Sequence, residues 1–82
     1  MNTRHAFNYR DYTSAPAKYR IFKTARIAAD LDGFERGQIV AVHWYADKIN
    51  AANARTESVY IVRDNHGQRR YLFAAALADF VL

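Results

Sequence analysis

The sequence predicts a small, mainly β domain: a barrel of about five short strands with one helical turn near its end. Two observations indicate this class. Short runs rich in β-branched and aromatic residues recur along the chain, and clusters of turn-forming residues separate them. The length of 82 residues allows only one domain. A composition of 51% hydrophobic and 24% charged residues is typical of a folded chain.

Residues 1–17 are predicted to form a basic, aromatic arm, and residues 18–82 the barrel. Pro16 marks the boundary because proline cannot donate a ladder hydrogen bond. From residue 18, apolar and polar residues alternate, which predicts a half-buried strand. The residues that share its apolar face are Tyr19, Ile21, Ala25, Ile27 and Ala29. A helix is the alternative, because several of the same residues also fall at helical spacing.

The middle of the chain is predicted to contain one strand and one long loop. The turn-rich segment DLDGFERG, residues 30–37, leads into a β-branched run that predicts a strand over residues 38–45. Residues 46–58 are polar and rich in Ala and Asn, so we expect a loop with a short helical turn within residues 48–53. This loop is either a recognition arm or a tolerated insertion.

The last third is predicted to form a hairpin and a closing element. Residues 58–63 and 68–73 have strand composition, and the turn between them, residues 64–67, ends in Gly67, where a positive φ is needed. The terminal AAALADFVL begins as one helical turn and continues as an apolar strand or tail. Its last three residues, Phe80, Val81 and Leu82, are expected to dock into the core.

Two segments resemble parts of the SH3-like barrel proteins. DGFERGQIVAV is similar to the ELSFKKGD-plus-strand signature of that family, with Phe34 as the packed aromatic residue and Gly37 in the diverging turn. RRYLFAAALADFVL is similar to the end of the fold, where a strand leads into a helical turn and a last short strand. The resemblance covers residues 18–82 and implies an SH3-like barrel; it implies little about function.

Departures from the family count against two of its activities. Residues 26–29 and 73–77 lack the aromatic strip and the Pro-Ser-Asn-Tyr-like turn of polyproline-binding SH3 domains, and Trp44 is not at the groove position. The trimethoprim-resistant plasmid dihydrofolate reductases carry Gln-Ile-Tyr-Pro where residues 70–73 read Arg-Tyr-Leu-Phe. A multimeric pore enzyme of that kind is therefore a disfavoured alternative.

The positive charge is confined to the start of the chain. Residues 1–30 hold six Lys or Arg against two Asp, whereas residues 31–82 hold six against six, which gives the net charge of +4. The basic set predicted to bind nucleic acid or an acidic partner is Arg10, Lys18, Arg20, Lys23 and Arg26. The alternative is that these cations only solvate an edge strand. A second basic spot is predicted at Arg63, Arg69 and Arg70.

Aromatic residues supply a second kind of candidate surface. The predicted interface aromatics are Tyr9, Tyr12, Tyr19, Trp44 and Tyr45. Tyr and Trp are enriched at protein interfaces. A candidate aromatic anchor cluster comprises Trp44, Tyr45, Tyr60 and Tyr71. The alternative for these four residues is a place in the core, because the chain has few Leu.

No residue pattern predicts catalysis, a metal site or a cofactor. The three histidines, His5, His43 and His66, are not at metal-ligand spacing, and the chain has no Cys. The carboxylates fall singly or in one turn-rich loop rather than as a catalytic pair. Gly33 and Gly37 do not form a phosphate-binding loop.

The expected function is therefore that of a small non-catalytic binding protein. In style it resembles the inhibitors and adaptors, such as anti-CRISPR proteins, that phages and mobile elements direct against a host protein or nucleoprotein complex. The alternative is a direct nucleic-acid-binding module, as in SH3-like and KOW-type domains. The longest apolar run is seven residues, so we expect no membrane partner and a cytoplasmic location, in the host cytoplasm if phage-encoded. The partner and the oligomeric state stay open.

Overall fold

The computed structural model describes residues 21–82, which form two three-stranded antiparallel sheets. The elements are β1 (Thr24–Ile27), β2 (Ile39–Ala41), β3 (His43–Asn50), β4 (Arg55–Arg63), β5 (Arg69–Phe73), a 3₁₀ helix (Ala74–Ala76) and β6 (Leu77–Val81). The strand orders are β2-β1-β6 and β3-β4-β5. The predicted mainly β class and the short helical turn near the C-terminus are confirmed.

Strand β1 confirms the predicted strand over the helical alternative. The predicted apolar face, however, is wrong at its start. Ala25 and Ile27 are buried and Arg26 is exposed, as alternation requires. Ile21, however, is exposed and Phe22 is buried, because these two residues precede the strand and a period of two does not extend through them. The predicted arm and the predicted strand residues 18–20 lie outside the described residues.

The strand predicted over residues 38–45 is divided between the two sheets at Val42. β2 pairs with β1, and the Val42 N–H donates to the carbonyl of Lys23 at 3.0 Å, while β3 begins at His43 and pairs with β4. One predicted strand therefore supplies an edge to each sheet.

The loop predicted over residues 46–58, with its helical turn, is wrong. β3 continues to Asn50 and β4 starts at Arg55, so this segment is a long hairpin with Asn50 opposite Arg55. Its turn closes through Ala54, whose φ of 56° is left-handed. Polar cross-strand contacts hold the hairpin: Ser58 donates to Asp47 at 2.8 Å, and Asn50 donates to Glu57 at 3.0 Å. Because polar pairs stabilise this hairpin, its sequence does not show the alternation of apolar and polar residues that predicts a strand.

The hairpin predicted over residues 58–73 is confirmed, and so is the closing strand. Gly67 has a φ of 78°, and the backbone N–H of Asp64 donates to the carbonyl of Gln68 at 2.9 Å. In β6, Phe80 is fully buried and Val81 is half-buried, whereas Leu82, after the strand, is exposed. The predicted docking of the C-terminus thus depends on Phe80 and is wrong for Leu82.

Three aromatic rings join the two sheets. The Phe80 ring of β6 lies with its centroid 5.0 Å from that of Phe22 and 5.0 Å from that of Tyr60 in β4. The aliphatic residues of the same cluster come from both sheets, among them Ile27, Val62 and Leu77. The core therefore lies between the sheets, against one face of β4.

Replacing Phe80 with Ala should lower the free energy of unfolding by about 3–5 kcal/mol, because the cavity would open between the sheets. Leu82→Ala is the matched control, since Leu82 is exposed, and should change stability by less than about 0.5 kcal/mol. Urea unfolding of both variants measures this. Equal losses in the two variants would contradict the position given to Phe80.

Candidate binding surface

The β3–β4–β5 sheet has two faces of different character. Trp44, Tyr60 and Leu72 lie opposite one another across the three strands, and this row faces the core. The neighbouring row, His43, Ile61 and Tyr71, must face the other way because successive strand residues alternate. We call this second side the outer face.

Two tyrosines meet on the outer face. The β3–β4 register shifts between Trp44 and Ala46, so Tyr45 lies at a bulge, and its ring makes an edge-to-face contact with Tyr71 at a centroid distance of 5.0 Å. Tyr45 remains 49% exposed and Tyr71 50% exposed. Edge-to-face contact is a favourable aromatic geometry, so the pair forms a preorganised surface.

An apolar patch surrounds this pair. Val59 is only 7% exposed yet does not belong to the core cluster. It is opposite Phe73 and two residues from Ile61, so it shares their face. We define the outer aromatic patch as Tyr45, Val59, Ile61, Tyr71 and Phe73. The register thus places apolar and aromatic residues of all three strands together on the outer face.

The predicted aromatic cluster is thus divided between core and surface. Tyr60 is fully buried, and Trp44 packs against the core while its Nε1–H donates to the Ser58 hydroxyl at 3.0 Å. Tyr45 and Tyr71 lie on the outer face. Trp44 therefore does not join Tyr45 in one surface, and the remaining predicted interface aromatics, Tyr9, Tyr12 and Tyr19, lie outside the described residues.

Two arginines of the predicted second basic spot adjoin the outer aromatic patch, and the third does not. Arg63 and Arg69 are exposed and lie opposite each other on the outer face, one step along from Ile61 and Tyr71. Arg63 donates to the carbonyl of Gly67 at 3.0 Å. Among residues 21–82, neither guanidinium lies within ion-pair distance of a carboxylate.

Arg70 points to the inner side and ties the hairpin to the segment between β1 and β2. Its guanidinium donates to the carbonyl of Asp32 at 2.8 Å, lies 3.4 Å from the Asp64 carboxylate, and stands over the Phe34 ring at 5.4 Å. Through these contacts Arg70 stabilises the fold, and we do not count it as part of the candidate binding surface.

The predicted basic set is represented in the described residues by Lys23 and Arg26. The Arg26 guanidinium lies 3.7 Å from the Asp79 carboxylate and donates to the carbonyl of Gly37 at 2.9 Å. Its contacts are therefore with other residues of this chain. Lys23 is exposed and precedes β1. The other three members, Arg10, Lys18 and Arg20, lie outside the described residues.

Asp64 has a structural role in the turn of the β4–β5 hairpin. It is buried and accepts hydrogen bonds from the backbone N–H groups of His66 and Gln68, each at 2.9 Å. The hydrogen bond from Gln68 is the main cause that holds the pKa of Asp64 below its ordinary value; His66 and Arg70 lower it further, against the opposing effect of burial. Asp64 therefore acts as a turn anchor.

Within residues 21–82, no three His, Asp or Glu side chains converge as a metal-binding group. In the same range, no helix is both long and apolar enough to cross a membrane. Comparison with protein-family models, with curated proteins and with solved structures finds no match.

The sequence places Tyr45 and Tyr71 in one candidate aromatic cluster and Arg63 and Arg69 in the second basic spot, but it does not join the two groups. It missed Val59, Ile61 and Phe73 as parts of one surface. A signal exists in residues 59–62, which are apolar on both parities and so predict a strand covered on both faces. Cross-strand register is what assembles these residues into one patch.

Asp64→Asn should destabilise the protein at pH 7, and the difference should shrink in acid. A carboxyl whose pKa is lowered by folding stabilises the fold above its unfolded pKa, and that stabilisation is lost as the pH falls through the folded value. The gap between wild type and variant should therefore narrow below about pH 4. Chemical unfolding from pH 7 to pH 2 measures it, with the exposed Asp30→Asn as control. A gap that stays constant over this range would contradict the role of the Asp64 charge.

Proposed function

We propose that this chain is a small non-catalytic binding protein that docks onto a protein partner through the outer aromatic patch. The observation that carries the proposal is the Tyr45–Tyr71 pair, half-exposed above the buried Val59 and outside the core. Interface hot spots are enriched in Tyr and Arg, and the patch is bordered by Arg63 and Arg69. A surface of this composition resembles the centre of an interface with its basic rim.

The fold in this proposal is an SH3-like barrel. Its support is the pair of three-stranded sheets, the near-continuous β2–β3 segment that serves both, and the 3₁₀ helix before the last strand. In its specific form the proposal is an inhibitor or adaptor acting on a host protein or nucleoprotein complex in the cytoplasm, as phages and mobile elements encode. The half-exposed Tyr45–Tyr71 pair and the neighbouring Arg63 and Arg69 support this form as a surface for such a partner.

Changing Tyr45 and Tyr71 together to Ser should weaken partner binding by at least about 30-fold, the effect of losing one interface hot spot. The partner is captured with the tagged wild-type chain, identified, purified and titrated by calorimetry. Ile49→Ser is the matched control, because Ile49 is 74% exposed and its pairing with Thr56 assigns it to the opposite face. If the double variant binds the purified partner as tightly as the control, the patch is not the docking site.

Direct nucleic-acid binding is the second candidate, and the position of Arg63 and Arg69 beside Tyr71 favours it. A site of this kind should lose orders of magnitude in affinity for DNA or RNA between about 50 and 200 mM salt. Arg63→Gln combined with Arg69→Gln should flatten that salt dependence, whereas Arg36→Gln, in the exposed turn before β2, should leave it nearly unchanged. The absence of any DNA or RNA binding at low salt would eliminate this candidate.

A further inference from the structure

Strand β5 is an edge of its sheet, and its outward backbone groups can be assigned. The Asp64–Gln68 pair is hydrogen-bonded. Because hydrogen-bonded and non-hydrogen-bonded pairs alternate in an antiparallel ladder, Val62–Arg70 and Tyr60–Leu72 are also hydrogen-bonded pairs. Arg69 and Tyr71 therefore turn their backbone N–H and C=O groups away from β4. Among residues 21–82 these four groups meet no other backbone partner.

An open groove lies beside this edge. Its volume is about 360 Å³, and Tyr71 and Phe73 line one side of it. Leu31, from the segment after β1, and Ala75 and Ala76 of the 3₁₀ helix also line it. The groove gives apolar side chains of an added strand a place to lie next to the exposed edge.

The charge along the β5 edge favours one kind of binding segment over another. Arg69, with Arg63 beside it, is a cation without an ion pair in the described chain. Toward the other end of the same face, the Glu57 carboxylate already accepts hydrogen bonds from Asn50 and from the Ala75 backbone N–H. The free charge along β5 is thus positive. A second copy of this chain would bring its own Arg63 and Arg69 and a further +4 charge, which opposes self-pairing.

We propose that the β5 edge binds an extended acidic segment of the partner protein by strand addition. Backbone groups of Arg69 and Tyr71 pair with the segment, an apolar side chain enters the groove against Tyr71 and Phe73, and a carboxylate meets Arg69. This rests on the proposed function and names the chemistry of the partner. Main-chain pairing supplies affinity in this mode, and the side chains supply specificity.

The test uses a synthetic peptide, acetyl-Asp-Glu-Val-Thr-Val-Phe-Val-amide, titrated into the labelled full chain and followed by backbone amide NMR. The amides of Arg69 and Tyr71 should shift the most, with a Kd near or below about 1 mM. A peptide with Lys in place of Asp and Glu should bind at least about 10-fold more weakly, and so should the acidic peptide to an Arg69→Glu chain. Arg36→Glu, a change of the same charge in the exposed turn before β2, should bind like wild type.

Methylation of the peptide backbone separates strand addition from simple charge attraction. A peptide N-methylated at alternate residues on the parity that faces β5 should lose binding, whereas methylation on the other parity should not. No shift at β5, or equal binding of the acidic and Lys peptides, would overturn the proposal. Concentration-dependent β5 shifts without peptide would overturn it in favour of self-pairing, and tighter binding of an oligo-dT at the same amides would do so in favour of nucleic acid.

The two proposals fail separately. If the Tyr45→Ser, Tyr71→Ser chain no longer binds the purified partner but the peptide shifts no β5 amide, the docking face is supported and strand addition is overturned. A peptide that binds β5 while no partner depends on the two tyrosines would overturn the proposed function instead.

Discussion

The contact between Phe80 and Tyr60 is the constraint on which the rest of the molecule depends. Phe80 belongs to the β2–β1–β6 sheet and Tyr60 to the β3–β4–β5 sheet, their ring centroids are 5.0 Å apart, and both side chains are fully buried. Once Tyr60 faces this contact, alternation along β4 sends Val59 and Ile61 to the opposite side. The position of one ring therefore decides which face of the second sheet is left for solvent or a partner.

The sequence predicts those parts of the fold in which hydrophobic period and turn chemistry agree. The hairpin around Gly67 and the closing strand with Phe80 are of this kind. The β3–β4 hairpin could not be predicted because polar pairs such as Asp47 with Ser58 hold its far end, and its turn uses a left-handed Ala54 where no Gly marks it. Periodicity detects burial of apolar groups and does not detect a strand that is stabilised by hydrogen bonds between side chains.

The sequence predicts Tyr45 as an interface residue and Arg63 and Arg69 as a basic spot, but it does not predict the surface that joins them. Counting cations cannot show that Arg26 is directed at Asp79 and Arg70 at Asp64, while Arg63 and Arg69 lie side by side without a carboxylate in the described chain. Residues 1–20 carry four cations against one Asp, which leaves residues 21–82 with eight against seven. In the described residues, the outer face is therefore distinguished by where Arg63 and Arg69 lie and not by the net charge of the chain.

Tyr45 and Tyr71 are proposed to contribute to contact with a partner and little to folding. The most direct measurement is the free energy of unfolding of the Tyr45→Ser, Tyr71→Ser double variant beside that of Tyr60→Ala. Because the two outer rings are half-exposed, the double variant should lose less than about 2 kcal/mol, whereas deletion of the buried ring should cost about 3–5 kcal/mol. A double variant that loses as much as Tyr60→Ala, or that does not fold, would show that the outer aromatic patch is part of the core and contradict the account.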